Sequence, residues 1–82
     1  MLPTTVTVLL FASYADALGR PRIDVSLTPG STVADMVARV RDGHAERLPA
    51  RPLVAVNQEY APYDRVIEPG DEIALIPPVA GG

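Results

Sequence analysis

Pro77-Pro78-Val79-Ala80-Gly81-Gly82 is the stretch of this sequence best suited to chemistry, and what it offers is an α-carboxylate at Gly82 rather than a side chain. Pro77 and Pro78 give no N–H to a sheet and hold φ near the polyproline value. They end the preceding strand and turn the chain outward as a stiff stalk. Fully extended, residues 77–82 reach roughly 20 Å, enough to enter another protein's active site while the folded body stays outside. Bulk then falls from Val79 through Ala80 to Gly81 and Gly82, so the tail is slim enough for a narrow channel. A terminal glycine pair closes no turn. From the glycines alone, a frayed chain end is the simpler reading.

No other stretch competes for the chemistry. Asp71 and Glu72 are adjacent on an expected strand, so their carboxylates point to opposite faces and cannot converge on one bond; they read as a solvated strand entrance. Gly43 and Gly70 belong to a helix end and a Pro-Gly turn, and no phosphate-cradling glycine pattern occurs. Ser13, Ser26 and Ser31 have no histidine nearby in sequence, and Ser31 stands at a helix start, where capping explains it. His44 is the single histidine, in a polar loop of a chain without cysteine, so no metal site is expected. Tyr14, Tyr60 and Tyr63 are too scattered to stack bases.

Composition narrows the partners. At 82 residues the chain makes one small domain, and 48% hydrophobic against 21% charged residues predicts a packed core rather than disorder. The net charge of -3, with no arginine cluster, argues against nucleic acid or an anionic membrane and favours a basic protein surface. All 7 basic residues are arginine, so no side-chain amine is available for Schiff-base chemistry or self-attachment. The absence of cysteine excludes disulfides and thiolate nucleophiles and fits a reducing compartment. The apolar run from Val6 to Ala12 lacks a basic flank, Met1-Leu2-Pro3 does not resemble a signal-peptide start, and no segment is long enough to span a membrane. The expected location is the cytoplasm.

The elements that carry the tail follow from periodicity. Thr5 to Ala12 reads as a first strand, with Val6, Val8 and Leu10 on one side and Leu9 and Phe11 on the other. Ser13 to Leu18 forms a short helical turn closed by Gly19. Arg22 to Thr28 alternates strictly, placing Ile23, Val25 and Leu27 inward. Thr32-x-x-Asp35 is a capping-box-like start to a helix of about ten residues ending at Gly43, with an apolar stripe of Val33, Met36, Val37 and Val40. Leu53 to Val56 reads as a buried strand, Asn57-Gln58 as a turn, Glu59-Tyr60 as a short extended piece, and Glu72 to Ile76 as the last strand. This order predicts an α+β, ubiquitin-like β-grasp roll: a mixed sheet with one main helix on one face, spanning 1–76, and a projecting, flexible tail at 77–82. One helix buries one face only. Leu9, Phe11, Ala74 and Ile76 are left on the open face beside the tail, an apolar patch that reads as a partner surface.

Three stretches then carry a resemblance: Val8-Leu9-Leu10-Phe11-Ala12, Leu53-Val54-Ala55-Val56-Asn57-Gln58-Glu59, and Pro69-Gly70-Asp71-Glu72 running on through Ile76 to Gly82. Together they resemble the MoaD/ThiS sulfur carriers, and the Pro-Pro-Val-Ala-Gly-Gly ending resembles the MoaD branch most. The resemblance implies a sulfur carrier of molybdopterin synthase. An ATP-dependent, MoeB-like enzyme would adenylate Gly82, a sulfur donor would convert it to a thiocarboxylate, and the tail would enter a MoaE-like large subunit to build the dithiolene. It implies that the carrier binds no cofactor itself and leaves the catalytic residues to the large subunit. Phe11, Tyr60 and Ile76 would contact partners, joined by Leu9 and by Pro77, Pro78, Val79 and Ala80 leading to Gly81 and Gly82. After Phe11-Ala12 many relatives carry an Arg-Glu pair; here Ala15-Asp16 stands instead. Carriers for thiamine, cysteine or tRNA thiolation share the fold and tail, and a ubiquitin-like modifier or binding module without sulfur chemistry is the alternative of another class.

Overall fold

The elements follow in the order β1 (Thr4–Leu10), α1 (Ser13–Leu18), β2 (Arg22–Leu27), α2 (Val33–Arg41), β3 (Leu53–Val56), β4 (Glu59–Tyr60) and β5 (Glu72–Ile76). This is a computed structural model, and it describes residues 2–44, 46 and 48–77. The strands form one sheet in the order β2-β1-β5-β3-β4. β5 is central and runs parallel to its neighbour β1, while every other neighbouring pair is antiparallel. The expected mixed β-grasp sheet is therefore present, with the first and last strands side by side.

The period-2 pattern of β1 becomes alternating burial: Val6, Val8 and Leu10 are buried, and Thr5, Thr7 and Leu9 are not. The 3.6-residue stripe of α2 is buried on the same side, through Val33, Met36, Val37 and Val40. With Val25, Leu27, Val54, Val56, Ile67, Ile73 and Leu75 these side chains make one core. Burying each large apolar side chain contributes about 1.5–3 kcal/mol, whereas an exposed ion pair contributes about 1 kcal/mol or less. Packing of helix on sheet therefore holds the domain.

The start of α2 also fixes the loop that precedes β5. Thr32 Oγ1 accepts from the Asp35 N–H at 3.3 Å, and Asp35 Oδ2 accepts from the Thr32 N–H at 2.9 Å, completing the expected capping box. The Val33 and Ala34 N–H groups, which a helix leaves unpaired, donate instead to the carbonyls of Arg65 and Tyr63, both at 2.9 Å. That ties residues 63–65 to the helix end. The helix runs nine residues, and the chain leaves it through Gly43 at φ +83°.

Three local readings change. β1 stops at Leu10 rather than Ala12, because Ala12 turns to φ 48° and ψ -122°, outside strand geometry. Ile23, near the start of β2, is only partly buried and packs against the edge of the core, while Val25 and Leu27 further along the strand are buried. Leu53 is 46% exposed rather than buried, because β3 alternates like its neighbours and presents Leu53 to the open face opposite Ile76. Among the described residues no helix is long and apolar enough to cross a membrane.

Candidate functional site

The register of the sheet assembles a continuous row on the face away from α2. Arg22 pairs with Leu9, Leu9 with Ala74, Ala74 with Ala55, and Ala55 with Tyr60, so one residue from every strand stands in line. Paired residues share a face in a pleated sheet. The next row holds Leu53 and Ile76, and Phe11 extends it, its N–H donating to the Leu75 carbonyl at 3.4 Å just past the end of β1. The two rows enclose a groove of about 340 Å³ floored by Leu9, Ala55, Ala74 and Ile76 and rimmed by Phe11 and Tyr60. Phe11 is 48% and Tyr60 72% exposed, a large aromatic area in water for so small a domain.

All four residues expected on the open face, Leu9, Phe11, Ala74 and Ile76, line this one groove, and so does Tyr60. Pro77 follows Ile76 directly and is half-buried. The chain therefore leaves the sheet at the lip of the groove. Pro78, Val79, Ala80, Gly81 and Gly82 lie outside the described residues. A larger hollow of about 900 Å³ near Pro29, Ser31, Asp35 and Arg39 sits at the opposite end of the sheet, where β1 begins beside the end of β2. Its carboxylate, Asp35, is already engaged in the helix cap, so it offers no free acid or base.

The backbone at both ends of the groove is unusual. The Phe11 carbonyl accepts from the Tyr14 N–H at 3.0 Å, closing a tight turn with Ala12 at positive φ in its first central position, where glycine is the ordinary choice. Tyr14 is carried into the core; its hydroxyl has no hydrogen-bond partner among the described residues, and burial pushes the phenol pKa up. At the other end, Val56 pairs with Glu59 across a two-residue turn in which Asn57 has φ 53° and Gln58 φ 71°. Positive φ at both positions makes a type I′ hairpin, and Gln58 lines the groove. Parity on β3 and β5 could have placed Ala55 and Glu72 there from sequence; nothing in the sequence placed Gln58.

Asp71 departs furthest from expectation. Instead of a solvated strand entrance, its side chain is only 10% exposed and joins three segments. Asp71 Oδ1 accepts from Asn57 Nδ2 at 2.9 Å, and Oδ2 accepts from Arg65 Nη1 at 3.1 Å and from the Glu68 N–H at 2.8 Å. Asn57 Oδ1 in turn accepts from the Glu72 N–H at 3.0 Å. Burial pushes the Asp71 carboxyl up, but the Glu68 amide, the Asn57 amide and the Arg65 guanidinium outweigh it and hold the pKa below the usual aspartate range. A carboxylate whose folded pKa is depressed adds stability above its unfolded pKa and loses it as pH falls through the folded value. Asp71→Asn is expected to cost about 1.5–3 kcal/mol at neutral pH. In thermal melts, the gap between parent and variant should stay constant above about pH 5 and narrow below about pH 4. A gap that persists undiminished in acid would show that the charge is not what matters.

Comparison with known proteins agrees with this geometry. Residues 8–82 match the ThiS family. The chain is 39% identical to the molybdopterin synthase sulfur carrier subunit of Mycobacterium tuberculosis, covering 94% of this chain and 96% of that protein. It is 34% identical to the protein of the same name from Haemophilus influenzae, covering 94% and 99%. Among solved structures, the small archaeal modifier protein 1 of H. volcanii superposes with a TM-score of 0.81 at 27% identity, over 93% of this chain and 99% of that one.

Proposed function

Since the chain belongs to the ThiS family of ubiquitin-like sulfur carriers, we propose that it is the sulfur-carrying small subunit of a molybdopterin synthase. The observation that carries this reading is positional. β5 delivers the chain from Ile76, inside an exposed apolar groove, into Pro77, the residue from which the sequence runs on to Gly81-Gly82, so a partner seated on the groove has Pro77 at its edge. The domain docks and the tail reacts.

In this mechanism a carboxylate oxygen of Gly82 attacks the α-phosphate of ATP in an adenylating enzyme, and pyrophosphate leaves. A sulfide-level sulfur nucleophile from the donor then attacks the acyl-adenylate carbon and expels AMP, giving the Gly82 thiocarboxylate. The anionic sulfur attacks the pterin precursor, and water then cleaves the resulting Gly82 thioester, leaving the sulfur on the pterin and returning the Gly82 carboxylate. Two carriers supply the two dithiolene sulfurs. The large subunit provides precursor binding and cationic stabilisation of developing charge. This chain contributes a docking surface (Leu9, Phe11, Tyr60 and Ile76), a stalk (Pro77 to Ala80) and the reactive end (Gly81 and Gly82). It binds no cofactor and works in the cytoplasm with its adenylating enzyme, sulfur donor and large subunit.

The test is intact-mass analysis after incubation with ATP, the adenylating enzyme and a sulfur donor. The expected result is a single oxygen-to-sulfur increase that maps to Gly82; no increase refutes the sulfur-carrier reading. The likeness to an archaeal modifier protein favours a second role, attachment to other proteins, which the same experiment in cell extract detects as an isopeptide at Gly82.

A further inference from the structure

The type I′ turn between β3 and β4 carries a cost without a structural return. Asn57 tolerates its φ of 53° well, but Gln58 at φ 71° occupies a position where glycine is the usual residue. Asn57 also holds Glu72 and Asp71, so its identity is explained by the fold. Gln58 is exposed, and its side chain makes no hydrogen bond among the described residues. It nevertheless lines the groove. Backbone strain of this kind persists where function requires the residue.

The chemistry of the lining says what Gln58 adds. Leu9, Phe11, Ala55, Ala74 and Ile76 are apolar, Glu72 is an acid, and Tyr60 offers a single hydroxyl that cannot pair with the N–H and C=O of one peptide in the way an amide does. The Gln58 amide alone combines N–H donors with a carbonyl acceptor, the complement of a peptide group. The neighbouring edge is open as well. β4 is the outermost strand, and because the Ala61 N–H donates inward to the Val54 carbonyl at 2.9 Å, the backbone groups of Tyr60 alternate outward. An extended partner segment lying over Tyr60 meets the Gln58 amide.

We infer that Gln58 is a specificity contact of the docking groove, hydrogen-bonding a backbone peptide group of the large subunit, and that its strained turn is retained for this contact. The inference rests on the groove being the large-subunit surface. Two variants separate contact from strain, each measured by thermal melting and by calorimetric titration with the molybdopterin synthase large subunit of the same organism. Gln58→Gly relieves the strain and removes the amide: Tm rises by about 4–8 °C while affinity falls about five- to tenfold. Gln58→Leu keeps the strain and removes only the amide, so Tm stays put and affinity falls by the same factor. If both variants bind like the parent while Phe11→Asp weakens binding, Gln58 is not a contact and this inference is overturned with the groove intact. If Phe11→Asp also binds like the parent, the groove reading itself falls. A Gln58→Gly protein that melts no higher than the parent overturns the strain argument.

Discussion

Deleting Gly82 is expected to reduce sulfur transfer to the pterin precursor by at least about a hundredfold while leaving the melting temperature of the domain unchanged. The two halves of this result have separate causes. The core closes with Leu75, which is fully buried, and the helix stripe, sheet and Asp71 network all lie at or before Ile76. Removing the final residue therefore leaves every one of these described contacts in place. Chemistry has no such tolerance. Shortening the chain by one residue retracts the reactive carboxylate by about 3.5 Å, and a displacement of about 1 Å already costs a factor of about a hundred when a nucleophile must meet its target in a near-attack geometry. The stalk cannot stretch to compensate, since Pro77 and Pro78 fix φ. Single-turnover assays with the large subunit, alongside a thermal melt of the truncated protein, measure both halves. Transfer at the parental rate by the truncated chain would refute the assignment of Gly82 as the reactive terminus.

Much of the fold was legible because its signals are local. The strict alternation of Arg22 to Leu27, the i, i+3, i+4, i+7 stripe of α2 and the Thr32/Asp35 box each specify an element within a few residues. The apolar groove was legible one step further on, since the parity of β1 and β5 placed Leu9, Phe11, Ala74 and Ile76 together before the register was known. Where long-range geometry decides, the sequence was silent. Asp71 meets Asn57 across 14 residues, and a carboxylate at a strand entrance looks solvated until the hairpin turn and the Pro-Gly turn fold against it. Leu53-Val54-Ala55-Val56 is apolar throughout, which hides its parity; pairing with β5 sends Val54 and Val56 into the core and Leu53 into water. Gln58 escaped for the opposite reason, since glycine is the usual sign of positive φ and this turn does without it.

Phe11→Asp tests the proposed docking face. The ring is 48% exposed and stands past the last paired residue of β1, so its loss opens no core cavity, and the change in stability should stay within about 0.5 kcal/mol. Binding to the large subunit should weaken about a hundredfold or more. Truncating a central interface aromatic costs about 2 kcal/mol or more, and bringing an unpaired carboxylate against the apolar floor of Leu9, Ala74 and Ile76 adds a desolvation penalty. Charge alone does not explain such a loss, and a second variant shows why. Leu2→Asp makes the same apolar-to-acid change at an 85% exposed site before β1, at the far end of the sheet from Ile76, and should leave affinity unchanged. Calorimetric titration of both variants separates a specific face from a general response to added negative charge. Equal losses in both would assign the effect to net charge, and no loss in either would place the interface on another surface of the domain. A loss confined to Phe11→Asp ties recognition to the end of the sheet where β5 gives way to Pro77, so that docking and the proposed delivery of Gly82 are set by the same strand.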